Sequence, residues 1–258
     1  MLTNAEIWFN VMKSEIDELK KFDSQFFQKL FALPRTVPSA ALYLETGTLP
    51  ISVILKQRRL NYLHNILKSS KSGMLHKVFS IQWNFPCKGD WSEQVKTDLR
   101  DFDIQKDLSK LEELSEHTYK KMIKSKAWEF AFNLLSLKKE NYRKLEKLQY
   151  YELRTKEYLL SNQLTFEDKR MIFKFRTRMS NFGENFRAGK TEILCPLCNE
   201  HLDCQFKLFT CSVIKQHLLQ KFGASIKLNI YELLDDNPNL FTVKMYKSAI
   251  EFRQSNLD

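Results

Sequence analysis

Glycine and proline are scarce in this chain, with 6 of each in 258 residues, roughly 2% apiece against ordinary usage of about 7% and 5%. Nucleotide-binding folds need glycine where the backbone approaches a pyrophosphate, and β-sandwiches need it at tight turns. Both classes are therefore disfavoured. Long hydrophobic runs are missing too, and none approaches the ~20 apolar residues of a membrane span. The opening MLTNAEIWFNVMKSE has acidic and polar residues in place of a basic start and a continuous apolar stretch, so no secretory signal is expected. The chain reads as soluble and intracellular, with no membrane partner.

What is present is a charged chain able to bury a core. Hydrophobic residues make up 43% and charged residues 28%, which excludes compositional disorder. At about 100–200 residues per domain the length allows one large domain or two small ones. The formal net charge is +10, and its location says more than its size. Residues 119–190 hold 18 Lys+Arg against 8 Asp+Glu, whereas the remainder holds 23 of each. A polyanion such as RNA or DNA suits that surplus, because neutralised phosphates release counterions. A solvated lysine-rich helical face is the competing reading.

Apolar spacing predicts a mainly α fold, a multi-helix assembly with a small C-terminal zinc-knuckle-like module. Ile7, Val11, Ile16, Leu19, Phe22, Phe26 and Leu30 recur at helical steps until Pro34 and Pro38 interrupt. A short helix follows from Ser39, with Gly47 as its stop, and an amphipathic one over 51–70 carries Lys56, Arg58 and Arg59 toward its middle. Residues 69–90 combine Ser, Gly and Pro with weak periodicity and read as a linker between a 1–68 helical segment and a basic helical region over 91–190. Asp90 with Glu93, and Thr165 with Asp168, have capping-box spacing. In the second case the following helix sets Phe166, Met171, Ile172, Phe175 and Met179 against Lys169, Arg170, Lys174, Arg176 and Arg178. The twenty Phe fall at helical spacing and read as core; no alternating aromatic strand suggests a base-stacking sheet.

Four of five cysteines, Cys195, Cys198, Cys204 and Cys211, fall within 17 residues, which in a chain without a signal reads as a metal site before a disulfide framework. Two residues between Cys195 and Cys198 let both sulfurs face one tetrahedral ion. With Cys211 and His217 the spacing is C-x2-C-x12-C-x5-H, within the range of zinc fingers. Cys204 is the competing fourth ligand, and His201 sits close to the pair. Four protein ligands and no nearby acid or base make the expected ion a structural Zn. The module spans 191–258.

Two stretches carry a resemblance. Residues 30–67 contain Leu33-Pro34 and the run Ala41 to Gly47 (ALYLETG), and residues 147–211 run from KLQYYELRTKEYLL through IFKFRTRMSNFGENFR to CPLCNEHLDCQFKLFTC. Together they resemble the region C-terminal to the polymerase in non-LTR (LINE-type) retrotransposon reverse transcriptases. The resemblance implies a helical segment following a palm, a basic segment, a Cys-Cys-His-Cys knuckle and a short helical tail. It also implies a nuclear protein that grips template RNA or target DNA.

One departure matters. Asp203, Gln205 and Cys211 match the family's pattern, but Lys207 stands where the third ligand, a histidine, is expected, and a protonated lysine is no ordinary zinc donor. Spacing favours His217 as the substitute over Cys204. The polymerase's paired aspartates are also missing. Asp235-Asp236 follows a helical pattern and precedes Pro238, and no second acidic strand lies upstream. The expectation is a nucleic-acid-binding fragment without catalytic residues or a small-molecule substrate. Its contacts would come from Lys169, Arg170, Lys174, Arg176, Arg178, Arg187 and Lys190, beside a zinc held by Cys195, Cys198, Cys211 and His217. The alternative is a domesticated or decayed helical module that docks another protein.

Overall fold

The computed structural model describes residues 13–85, 87–140, 142, 145, 150, 152–182, 193–224, 226 and 229–257. Along them run the α-helices α1 (Lys13–Leu30), α2 (Ser39–Thr46), α3 (Ile51–Leu67), α4 (Met74–Asn84), α5 (Trp91–Asp101), α6 (Leu108–Glu113) and α7 (Glu116–Glu140). They are followed by α8 (Glu157–Leu160), α9 (Phe166–Arg176), α10 (Ser212–Phe222) and α11 (Leu240–Ser255). No strand forms among the described residues; a single antiparallel bridge joins Leu194 and Leu202. The fold is mainly α, as the spacing predicts. The chain forms two compact units, one from Met1–Gln25 and Thr48–Lys138, the other from Phe26–Gly47 and Lys139–Asp258. The second unit is thus built from two separated stretches of sequence.

In the first unit α3 buries Val53, Leu55, Leu60, Leu63, Ile66 and Leu67, and α7 presents Tyr119, Ile123, Ala127, Ala131 and Leu135 at i, i+4 steps. Such a stripe lies on one helical face and closes a core from one side. The basic middle of α3 is used internally. Arg59 Nε donates to Asp98 Oδ2 at 2.7 Å, and Lys56 Nζ bridges Asp98 at 2.9 Å and Asp101 at 2.8 Å, both on α5. The segment 69–90, read from sequence as a linker, instead holds α4. Its inner residue Phe79 is buried and packs against Trp83 and against Trp91 of α5, with centroids 5.5 and 6.1 Å apart. Ser69, Ser70, Ser72 and Gly73 precede this helix, Ser80 lies within it and Gly89 comes after it, while Pro86 lies outside the described residues. Asp90 and Glu93 also depart from the expected capping box: their carboxylates turn back to accept the Cys87 and Gly89 N–H groups.

The second unit has its core among α9, α10, α11 and two 3-10 turns, Gln205–Thr210 and Ile230–Leu234. The Thr165 capping box forms as its spacing predicts, with both reciprocal bonds in place. Seven of the eight residues of α2, Ala40 to Thr46, are buried. Gly47 ends that helix at φ +64°, and a Cβ there would overlap the backbone of Arg154 and Thr155. Only glycine satisfies both conditions.

In α1 the sequence stripe is displaced by one position. Phe27 and Phe31 are buried, with Phe31 stacked on Phe173 at 4.4 Å, while Phe22 and Phe26 are 54% and 56% exposed. Ile7 and Val11 lie outside the described residues.

Three helices end in a Schellman arrangement on a residue other than glycine. Ala32, Asp103 and Arg178 hold φ of 48°, 52° and 54°. Each is followed by a residue whose N–H returns to the carbonyl five positions back: Leu33 to Gln28, Ile104 to Leu99, and Met179 to Lys174. That position is ordinarily glycine's. The scarcity of glycine therefore recurs as mild backbone strain.

Candidate metal centre

The Cys195–Cys198 turn is built by its own backbone. Cys195 N–H donates to the His201 carbonyl at 2.6 Å, Asn199 N–H to Cys195 at 2.9 Å and Asp203 N–H to Ile193 at 2.7 Å. Asn199 takes the left-handed conformation (φ 53°) that folds the turn back, a region asparagine visits more readily than most residues. Cys211 comes from the other side, as the residue preceding α10.

The sulfurs of Cys195, Cys198 and Cys211 lie within 4.8 Å of one another, and Cys195 Sγ is 3.8 Å from Cys211 Sγ. A tetrahedral zinc with Zn–S of about 2.3 Å has S···S edges of roughly 3.8 Å. Three thiolates thus fit three corners of such a site, and these residues would hold the ion. Cys195 and Cys211 are buried and Cys198 is half-buried. Burial pushes the Cys211 thiol up to about 12, opposed by the Ile214 N–H and reinforced by the two neighbouring thiols. Cys198 differs. Burial raises it, but hydrogen bonds from the Glu200 and His201 N–H groups and from the Cys211 and Cys195 thiols outweigh that and hold it below its ordinary value. A cation would draw all three toward the thiolate form.

The fourth ligand expected from spacing is not brought to the cluster. His217 lies on α10, but its Nε2 hydrogen-bonds Ser248 Oγ of α11 at 3.1 Å and its ring stacks on Phe252 at 4.1 Å. Spacing placed His217 within reach along the chain; the helix turns its side chain toward α11 instead. Cys204 also stands outside the close triad, although with His201 and Lys207 it lines a small hollow that Cys195 and Cys211 share. Lys207 is exposed.

What ties this turn to the rest of the unit was missed by sequence reasoning. Arg253 of α11 donates from Nη2 to both Asp203 oxygens, at 2.9 and 2.8 Å, and from Nη1 to the Asn181 carbonyl at 3.0 Å. Its guanidinium also lies 4.7 Å over the Phe182 ring. Nothing in a pair separated by 50 residues marks such a partner. Gln205 Nε2 donates to the Phe175 carbonyl of α9, and Phe206 packs on Phe175 at 5.3 Å. Asp203 and Gln205 are accordingly buried braces that hold the cysteine turn against α9 and α11.

The basic residues of α9 separate into two groups. Lys169 and Lys174 are half-exposed and make no ion pair among the described residues. Arg170 donates to Glu167 and to the Leu30 carbonyl and stacks on Phe166. Arg176, expected at a phosphate, is instead 1% exposed: Nε donates to Glu45 Oε2 at 2.8 Å, and Nη1 donates to the Leu234 and Asp235 carbonyls. The reason is helical geometry, which turns Arg176 to the same side as the core residues Ile172 and Phe173. Arg178 is the left-handed residue past the helix end, with its guanidinium 5.0 Å over Phe206. Arg187 and Lys190 lie outside the described residues. Beside α9 opens a cleft of about 230 Å³ whose lining includes Arg170, Met171, Lys174, Ser180, Tyr246 and Arg253.

No protein-family model matches the chain, and comparison with curated proteins and with solved structures finds no match.

Proposed function

We propose that the second unit is a zinc-stabilised, helical nucleic-acid-binding module. On this reading the chain is the part of a non-LTR retrotransposon reverse transcriptase that follows the polymerase, with no catalytic residues of its own. The observation that supports it best is the shared core of the thiol triad and the basic helix: Cys195, Cys211 and Phe206 are buried in one cluster with Phe175 of α9. A structural ion there would hold the orientation of the α9 surface, where Lys174 and Arg170, at the cleft, and Lys169, on another side of the helix, would meet phosphates. Zinc supplies only ligation in this role, with Cys195, Cys198 and Cys211 as donors and Cys204 or His201, both at the adjoining hollow, as the fourth. Contacts of this kind give a sequence-independent, salt-sensitive affinity.

The test is binding of the purified chain to single- and double-stranded RNA and DNA across a salt series, with zinc content measured by native mass spectrometry. Lys169→Glu with Lys174→Glu should weaken binding and lower the salt slope by about two, one per lost contact. Unchanged affinity and slope in that double variant would leave α9 as a solvated face and remove the nucleic-acid reading. Arg176 is left out of the test, since its loss would damage the fold.

A further inference from the structure

The inner face of α4 holds Phe79 and Trp83 against α5, yet its outer face is apolar as well. Met74, Val78 and Ile81 are 78%, 44% and 63% exposed, with Leu75 at 46% beside them, and Phe85, the residue that caps the helix end, is 76% exposed. Their spacing is i, i+4, i+7, i+11, the seam that one helix offers another rather than the wider face of a helix lying in a lipid interface. A helix apolar on both sides is ordinarily covered on both. Here the outer side has no cover from the described residues of its own unit.

The charge around the seam identifies what fits it. Residues 46–89 contain no Asp or Glu. Lys68, Lys77 and Lys88 are exposed and make no ion pair among the described residues. The acidic groups of α5 and the turn before it are already engaged, Asp98 and Asp101 with Arg59 and Lys56, and Asp90 and Glu93 with the backbone of 87–89; on α6 Glu112 pairs with Lys71 and Glu113 is exposed. A second copy of this chain would bring lysines against lysines. An acidic partner would bring carboxylates against them.

We infer that the outer face of α4 is a docking surface for an amphipathic helix of another protein, one whose apolar stripe is flanked by Glu or Asp. Met74, Val78, Ile81 and Phe85 interlock with that stripe, and Lys77 and Lys88 set its charge. This surface belongs to the first unit and is independent of metal or nucleic-acid binding by the second.

Fluorescence anisotropy with the full chain tests it. The probes are synthetic helical peptides of about four turns carrying a leucine heptad stripe, flanked in one by glutamates and in the other by lysines, with a scrambled control. The glutamate-flanked peptide should bind saturably and at least roughly tenfold tighter than the lysine-flanked one. Ile81→Asp should abolish binding with an unchanged thermal melt, since the side chain is exposed. Lys77→Glu with Lys88→Glu should reverse the peptide preference. Equal binding of the scrambled peptide, or none of the glutamate-flanked one, overturns the proposal. So does self-association that Ile81→Asp removes, which would give the face to a second copy, or sedimentation with phosphatidylserine vesicles in the absence of peptide binding.

Discussion

Replacing Arg176 by methionine separates a structural arginine from a phosphate-binding one. The guanidinium donates to Glu45 Oε2 at 2.8 Å, to the Asp235 carbonyl at 2.9 Å and to the Leu234 carbonyl, and lies 3.5 Å from Asp236 Oδ1. Asp236 keeps Arg154 at 3.2 Å and Lys156 at 3.3 Å, so it loses little. Glu45 loses its cation. It is 0% exposed and among the described residues would retain the hydroxyls of Tyr158, at 2.9 Å, and Tyr150. Removing one partner of a buried pair costs about 3–5 kcal/mol, because the remaining charge is uncompensated. With a urea m-value near 2 kcal/mol/M, the midpoint should fall by roughly 1.5–2.5 M. Adding Glu45→Gln removes the bare charge, so the double variant should recover about 2 kcal/mol or more of the deficit. Urea unfolding followed by circular dichroism measures both. A loss under about 1 kcal/mol, or two effects that simply add, would refute the buried-pair argument. A stable Arg176→Met chain whose nucleic-acid salt slope dropped by about one would return Arg176 to the phosphate surface.

Removal of metal by a chelator should lower the melting temperature, and Cys195→Ser or Cys211→Ser should abolish the response, because metal affinity at a structural site is folding free energy. A melt indifferent to chelator and to added zinc would count against the site. Thr165→Ala should cost about 1 kcal/mol through the lost cap of α9. Asp168 in that box is partly buried, which raises its pKa, but hydrogen bonds from the Thr165 hydroxyl and N–H and from Lys247 outweigh this and hold it low. A depressed folded value means its contribution is full above the ordinary carboxylate pKa of about 3.9 and is lost as pH falls through the folded value. Asp168→Asn should therefore flatten the acid limb of stability, and an unaltered limb would contradict the assignment. Two substitutions at left-handed residues should move in opposite directions. Gly47→Ala should destabilise by about 2 kcal/mol or more through strain and overlap, while Ala32→Gly should stabilise by up to about 1 kcal/mol. Equal signs in thermal melts would refute the backbone argument.

Local signals in the sequence carried far. Thr165 with Asp168 predicted a cap, Gly47 a helix stop and Cys195-x-x-Cys198 a chelating turn, because each depends on residues one or two turns apart. The third thiol was legible too, from its place twelve residues beyond Cys198, although Cys211 precedes α10 rather than lying on it. The failures have a common cause. Arg176 and Phe26 were assigned by helical spacing and His217 by ligand spacing along the chain; both place a residue without saying what its side of the helix meets. The face of α10 that bears His217 met Ser248 and Phe252, and that of α9 bearing Arg176 met Glu45, which is 131 residues away in sequence. The α4 segment was misread for another reason: Met74, Val78 and Ile81 recur at helical spacing, but the Ser and Gly residues before them and Pro86 and Gly89 after them in the sequence were taken as the mark of a linker.

The interrupted build of the second unit has a consequence for the order of synthesis. Its α2 lies upstream of the whole Thr48–Lys138 stretch, whereas Arg176 and the cysteine turn come later. At translation rates of about 5–20 residues per second, α2 emerges on the order of 10 s before the partners that bury it. Over that interval Leu42, Tyr43, Leu44 and a Glu45 without its cation are exposed to whatever is nearby. A nascent chain halted before α9 should accordingly recruit chaperones at 39–47 and release them once α11 has left the ribosome. Site-specific crosslinking from residue 42 would show no such exchange if α2 finds its cover within the first unit.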